Sequence, residues 1–163
     1  MMQAPVNIAG ARAVDFEADL LDLSRTPWRR IWLSSHAPIW TLVDADDFEW
    51  LSQWSWNVWH DGRKHWQLYA KRNTGERRDT VRMHRELQIR NDPRDADYMA
   101  AHLVDHINGQ TLDNRRANRR WSTKRDNNIN RRVRGEAPSL EAIVAELVAS
   151  LPAADLVEEI PFD

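Results

Sequence analysis

Residues 102–132, HLVDHINGQTLDNRRANRRWSTKRDNNINRR, hold two turn signals, two short apolar runs and a basic, Asn-rich end within about one supersecondary unit. Leu103 and Val104 begin a strand that ends in Asp105 and His106, and Asn108-Gly109 supplies the backbone freedom for a tight reversal. After the loop from Thr111 to Ala117, Arg120-Trp121-Ser122 forms the returning strand. Thr123 with Asp126 three residues on is a capping-box-like start for a helix through Arg132. The expected motif is therefore two antiparallel strands followed by a helix. If that helix packs across the hairpin, Asn127 faces the Asp105-His106 pair, and three oxygen or nitrogen groups converge on one point.

The pattern V-D-H-I-N-G (104–109), L-D-N-R (112–115), A-N-x-R-W (117–121) and N-N-x-N (127–130) resembles the HNH endonucleases, the ββα-metal nucleases, and in particular the phage and homing type in which Asn replaces the final His. The resemblance implies that Asp105 is the first metal ligand and Asn127 the final one. It implies that His106 is the general base and that Asn118 is the middle Asn of the catalytic motif, bracing the loop. In-line attack leaving a 5′-phosphate and a 3′-hydroxyl is implied as well. This chain departs from the family after the middle Asn, where an apolar Leu is usual and Arg119 stands instead; either the packing differs there or the Arg points to DNA. The stretch VDADDFEWLSQWSW (43–56), followed by a hairpin and V-x-M-H-R (81–85), is similar to the N-terminal half of many phage HNH proteins, so the likeness covers about residues 38–132.

The chemistry is consistent with that likeness. Phosphodiester hydrolysis is slow until the charge growing on the phosphoryl and leaving oxygens is neutralised, and one divalent cation can do this as a Lewis acid. Asp105 and Asn127 offer hard oxygen donors, which suit Mg²⁺ or Mn²⁺ better than Zn²⁺. One divalent metal, Mg²⁺ first and Mn²⁺ second, is the expected cofactor. His106 lies on the opposite side of an extended chain from its neighbour, and an ordinary imidazole is largely neutral at physiological pH, ready to take a proton from water.

The net charge of −2 conceals an asymmetry. Residues 1–60 carry four basic and eight acidic side chains, residues 61–135 carry 19 and 10, and residues 136–163 carry none and seven. A basic middle around the site suits a polyanion, because Lys and Arg that displace counterions supply most nonspecific affinity. Arg115, Arg116, Arg119, Arg120, Lys124, Arg125, Arg131 and Arg132 are the expected contacts to double-stranded DNA. A solvated charged face is the competing account of the same residues.

In the other segments, residues 1–27 read as an N-terminal arm in which Phe16, Leu20, Leu21 and Leu23 mark a short amphipathic turn or helix. Residues 28–100 form a Trp-rich region: strands within 28–43, a helix capped by Asp44 with Phe48, Leu51 and Trp54 inward, then a hairpin around Asp61-Gly62. Core packing is the expected role of most of the nine Trp, with Trp59 and Trp66 as the two to test for base stacking. His84 falls where a strand gives way to a helix from Arg85 to Ile89; it supports the active site or is a hydrogen-bonded junction residue. Residues 101–134 carry the hairpin-helix motif, 138–152 an acidic amphipathic helix capped by Ser139, and 153–163 an acidic tail. The fold class expected is α+β.

With no Cys there is neither a disulfide nor a Cys-ligated zinc knuckle. No apolar run approaches the roughly 18 residues of a membrane span, so a cytoplasmic protein of a bacterial or phage-infected cell, with no membrane partner, is expected. The acidic 138–163 segment would repel phosphate; packing against the N-terminal half, a homodimer contact or a docked protein are its possible uses. Three functions stay open: a metal-dependent endonuclease, a catalytically silent DNA-binding module, and a protein-interaction module on the same scaffold.

Overall fold

In the computed structural model, which describes residues 20–62, 67–133 and 135–152, the alternating runs around Trp28 and Trp40 form strands β1 (Trp28–Trp32) and β2 (Trp40–Asp44), paired antiparallel with Ile31 opposite Thr41. Every residue of β2 except Asp44 is buried, Trp40, Leu42 and Val43 lying in the core, and both edges of the strand are hydrogen-bonded. On its second edge the Leu42 N–H donates to the Leu112 carbonyl at 2.9 Å, and the Asn114 N–H donates back to the Leu42 carbonyl at 2.8 Å. The loop of the L-D-N-R motif is thereby sewn into the N-terminal half.

Helix α1 (Ala45–Leu51) starts at Asp44 as expected, with Asp46 and Asp47 in its first turn. The Asp44 side chain does not cap it. Its carboxylate accepts from the Arg116 N–H at 2.6 Å, a stronger use of the charge because it pins the distant loop. Asp47 is buried and takes the Asn91 amide at 3.3 Å.

A three-stranded antiparallel sheet follows, with β3 (Asn57–His60), β4 (Leu68–Thr74) and β5 (Asp79–Arg82) in that spatial order. Helix α2 (Met83–Asn91) begins two residues earlier than the pattern suggested, so His84 lies in its first turn. Helix α3 (Ala96–Ala101) is capped by Asp95, whose side chain accepts from the Tyr98 N–H at 2.8 Å. Strands β6 (Leu103–His106) and β7 (Arg119–Ser122) then pair antiparallel, a short 3-10 turn (Arg116–Asn118) precedes β7, and helix α4 (Lys124–Val133) follows it. Last comes α5 (Leu140–Ala149), with Ser139 accepting from the Ala142 N–H as its N-cap. The arrangement is α+β.

One apolar core joins these pieces: Leu42, Val43, Leu51, Trp56, Met83 and Leu87 are its least exposed members, and Leu140, Ile143 and Val144 of α5 close it. Each such side chain stabilises the fold by about 1.5–3 kcal/mol. The apolar face of α5 is therefore packed inside this chain. Helix α4 is different in kind, having no buried residue. It is held by its cap, where Thr123 Oγ1 accepts from the Asp126 N–H at 3.1 Å and donates to the Asp126 carboxylate at 2.7 Å, and by its packing on β6 and β7, which includes the Asn130 hydrogen bond to Asp105. Among the described residues no helix is long and apolar enough to cross a membrane. Phe16, Trp66, Arg134 and the 153–163 tail lie outside the described residues.

Candidate nucleic-acid and metal site

The β6-β7 register places Asp105 opposite Arg120 and His106 opposite Arg119. Side chains alternate across a strand, so one face of the hairpin, carrying Asp105 and Arg120, looks toward α4, and the other, carrying His106 and Arg119, looks toward α2. The turn after His106 closes with the Gly109 N–H on the His106 carbonyl at 3.0 Å, and Gly109 has φ +83°, a left-handed conformation that a side chain would strain. Asn118 ties the far end of the loop to this turn: its Oδ1 accepts from the Asn108 N–H at 2.9 Å, and its Nδ2 donates to the Asp113 carbonyl at 2.9 Å.

Asp105 is 4% exposed. Its Oδ2 accepts from Arg120 Nη2 at 3.0 Å, Arg120 Nε at 3.2 Å and Asn130 Nδ2 at 3.2 Å. The amide that α4 brings to the carboxylate is thus that of Asn130, where the sequence pattern pointed to Asn127. The reason is register. The Asn127 N–H bonds the Thr123 carbonyl at 2.9 Å, which keeps it in the first turn of the helix. Ser122 pairs with Leu103, two residues short of Asp105. Asn130 lies about one helical turn, roughly 5.4 Å, further along α4 than Asn127, and its amide is the one that reaches the carboxylate.

This donor set fits a hard divalent cation on one condition. Rotating the Asn130 amide by half a turn exchanges Nδ2 for Oδ1 at nearly the same point. Two oxygens would then face each other at about the separation that a shared cation tolerates, a carboxylate and an amide oxygen being ligands suited to Mg²⁺ or Mn²⁺. Arg120 already neutralises Asp105 from the other side and would have to move off. Its side chain is 42% exposed and has solvent to move into. Among the described residues no three His, Cys, Asp or Glu side chains group as metal ligands, so the candidate ligands are one carboxylate and amides of α4.

His106 lies on the opposite hairpin face, only 4% exposed. Its Nε2 is 3.0 Å from Asn114 Oδ1. A relay fixes the protons. The Leu112 carbonyl can only accept, so the Thr41 hydroxyl donates to it at 2.7 Å and must accept from Asn114 Nδ2 at 2.9 Å. Asn114 Oδ1 is left facing the imidazole, so Nε2 carries the hydrogen and Nδ1 the lone pair. Burial lowers the His106 pKa below 6.5, opposed by the Asn114 hydrogen bond and by Asp113. His84 sits beside it with ring centroids 5.1 Å apart, and burial, then His106, lowers its pKa well below 6.5. Tyr69 completes the cluster at 5.5 Å from His84 and 6.3 Å from His106. His84, read from the sequence as a supporting or a junction residue, makes a ring contact with His106, 22 residues away in sequence.

The eight expected DNA contacts divide. Arg119 is 5% exposed, and its guanidinium donates to the Asn114 carbonyl at 3.0 Å, Gln88 Oε1 at 3.1 Å and Asn91 Oδ1 at 2.6 Å. Burial lowers its pKa to about 10. The guanidinium is enclosed by these acceptors and does not face solvent. Arg115 pairs through two nitrogens with buried Asp113, at 2.8 and 2.7 Å, and is also committed inward. Arg116, Arg120, Lys124, Arg125, Arg131 and Arg132 keep solvent-accessible side chains on the loop, β7 and α4. Trp40 and Trp56 are core residues. Trp59 is half-buried against Tyr69, with Arg82 over its ring at 4.8 Å.

No family model, curated protein or solved structure matches this chain.

Proposed function

We propose that the chain is a metal-dependent DNA endonuclease working at Asp105 and Asn130. The observation that carries this reading is the convergence of a carboxylate and an amide 25 residues apart at 3.2 Å, on a hairpin-helix unit whose exposed charges are mostly basic. A divalent cation held by Asp105 and the Asn130 oxygen would stabilise negative charge on the phosphodiester as a Lewis acid. Arg120 leaves Asp105 for a phosphate oxygen, which its planar guanidinium grips with two parallel donors. Arg116, Lys124, Arg125, Arg131 and Arg132 hold the flanking backbone. His106 stays neutral at pH 7, its Nε2–H anchored on Asn114, and its Nδ1 lone pair accepts the proton of the attacking water.

A second reading, a DNA-binding module without hydrolysis, is favoured by two features: Arg120 already neutralises Asp105, and His106 is buried. Mobility shift of duplex DNA in EDTA, followed by incubation of supercoiled plasmid with Mg²⁺ or Mn²⁺, separates the two. Binding with metal-dependent nicking supports the nuclease. Binding with no nicking at any metal concentration supports the silent module.

A further inference from the structure

An open cleft of about 440 Å³ lies beside the candidate site, lined by Tyr98, His102, Trp121, Thr123, Ile129 and Asn130, with Arg120 at its edge. Its volume is that of a small-molecule site. Its walls have a particular chemistry. The His102 ring stacks on Tyr98 with centroids 3.7 Å apart and planes 8° from parallel, and its Nδ1 donates to the Tyr98 carbonyl at 2.7 Å, so the imidazole is clamped as a flat platform. Trp121 meets Tyr98 edge-on at 6.0 Å and is itself fixed by its indole N–H on the Asp92 carbonyl at 3.0 Å. Ile129 of α4 lines the same cleft, 45% exposed although apolar, on a helix with no buried residue.

We propose that this cleft is a nucleotide site that takes one unpaired base, with its phosphate, from a single-stranded or frayed polynucleotide. The flat His102 ring and the apolar Ile129 side chain suit a π-face, which every base presents. The Asp126 carboxylate, which takes the Thr123 hydroxyl on one oxygen, offers an acceptor for a base edge. Arg120 and Asn130 serve both cleft and candidate site, since both also contact Asp105. A phosphate on Arg120 therefore places its base in the cleft. The proposal deepens the nucleic-acid reading above and names an unpaired strand as its substrate class; it uses no step of catalysis.

The test is titration of the full chain in EDTA with 2-aminopurine deoxynucleoside 5′-monophosphate, whose fluorescence is quenched by stacking. We expect saturable quenching, retained within about threefold in His102→Phe and weakened at least tenfold in His102→Ala and in Ile129→Trp, which fills the cleft from an exposed position. Thermal unfolding checks that each variant is folded. Within oligonucleotides, quenching is expected for single strands and not for the same base in a closed duplex. Absence of quenching at millimolar nucleotide, or equal quenching in Ile129→Trp, overturns the proposal. Nucleotide binding in a chain that never cuts DNA would sink the nuclease and leave this site standing, whereas metal-dependent cutting without quenching would do the reverse.

Discussion

The Asn130 amide donates to the Asp105 carboxylate at 3.2 Å, joining the otherwise unburied α4 to the end of β6. If this pair holds the cation, calorimetry should find Mn²⁺ affinity weakened on the order of 10–100-fold in Asn130→Ala, with Asp105→Ala at least as severe. Asn127→Ala should change it by less than about threefold. Equal losses in the two Asn variants would return Asn127 to the ligand set.

The same contact is opposed by Arg120, which competes for Asp105. Arg120→Gln removes the competing charge, so metal affinity in the absence of DNA should rise while DNA binding in EDTA weakens. A fall in metal affinity would mean that the guanidinium assists the site and does not block it.

Buried Arg119 should act on stability and not on DNA. Arg119→Ala leaves Gln88, Asn91 and the Asn114 carbonyl without a donor, and each hydrogen bond to a charged group contributes about 1.5–3 kcal/mol. Loss of at least about 4 kcal/mol in urea unfolding is expected, with the salt dependence of DNA binding unchanged. Arg131→Ala or Arg132→Ala should do the opposite, lowering the salt slope by about 1 each at little cost in stability. A reduced slope in Arg119→Ala would put that guanidinium on phosphate.

His84 and His106 both have pKa values below 6.5, chiefly through burial. The unfolded chain therefore binds more protons than the folded one at any pH between 6.5 and the lowered values. Stability is full above pH 6.5 and falls as the pH drops below it. Urea midpoints measured between pH 8 and 5, where ordinary carboxylates barely titrate, should be level and then decline, and His84→Gln should make the decline shallower. A midpoint that rises toward pH 5 would contradict the buried, neutral pair.

Local signals were readable in the residues themselves. Asn108-Gly109 specified the reversal, Thr123 with Asp126 and Ser139 specified two helix starts, and the spacing of Leu140, Ile143 and Val144 specified the inward face of α5. What was not readable depends on register between distant segments. Three Asn residues in α4 look alike until the strand pairing fixes which turn lies over Asp105. Thr41 bonds the loop 71 residues downstream, and no local pattern links it to the tautomer of His106. Arg119 counted among the DNA contacts because it falls in the basic cluster, with a packing difference as the alternative; its three acceptors come from α2 and the loop, elements whose packing no spacing encodes.

The central claim is tested most directly by plasmid relaxation. Supercoiled DNA incubated with the protein and Mn²⁺ should be nicked, EDTA should abolish the nicking, and Asp105→Ala and Asn130→Ala should each reduce its rate by at least about 100-fold while still shifting DNA in EDTA. Nicking that persists undiminished in both variants, or none by the unaltered protein at any metal concentration, would contradict it.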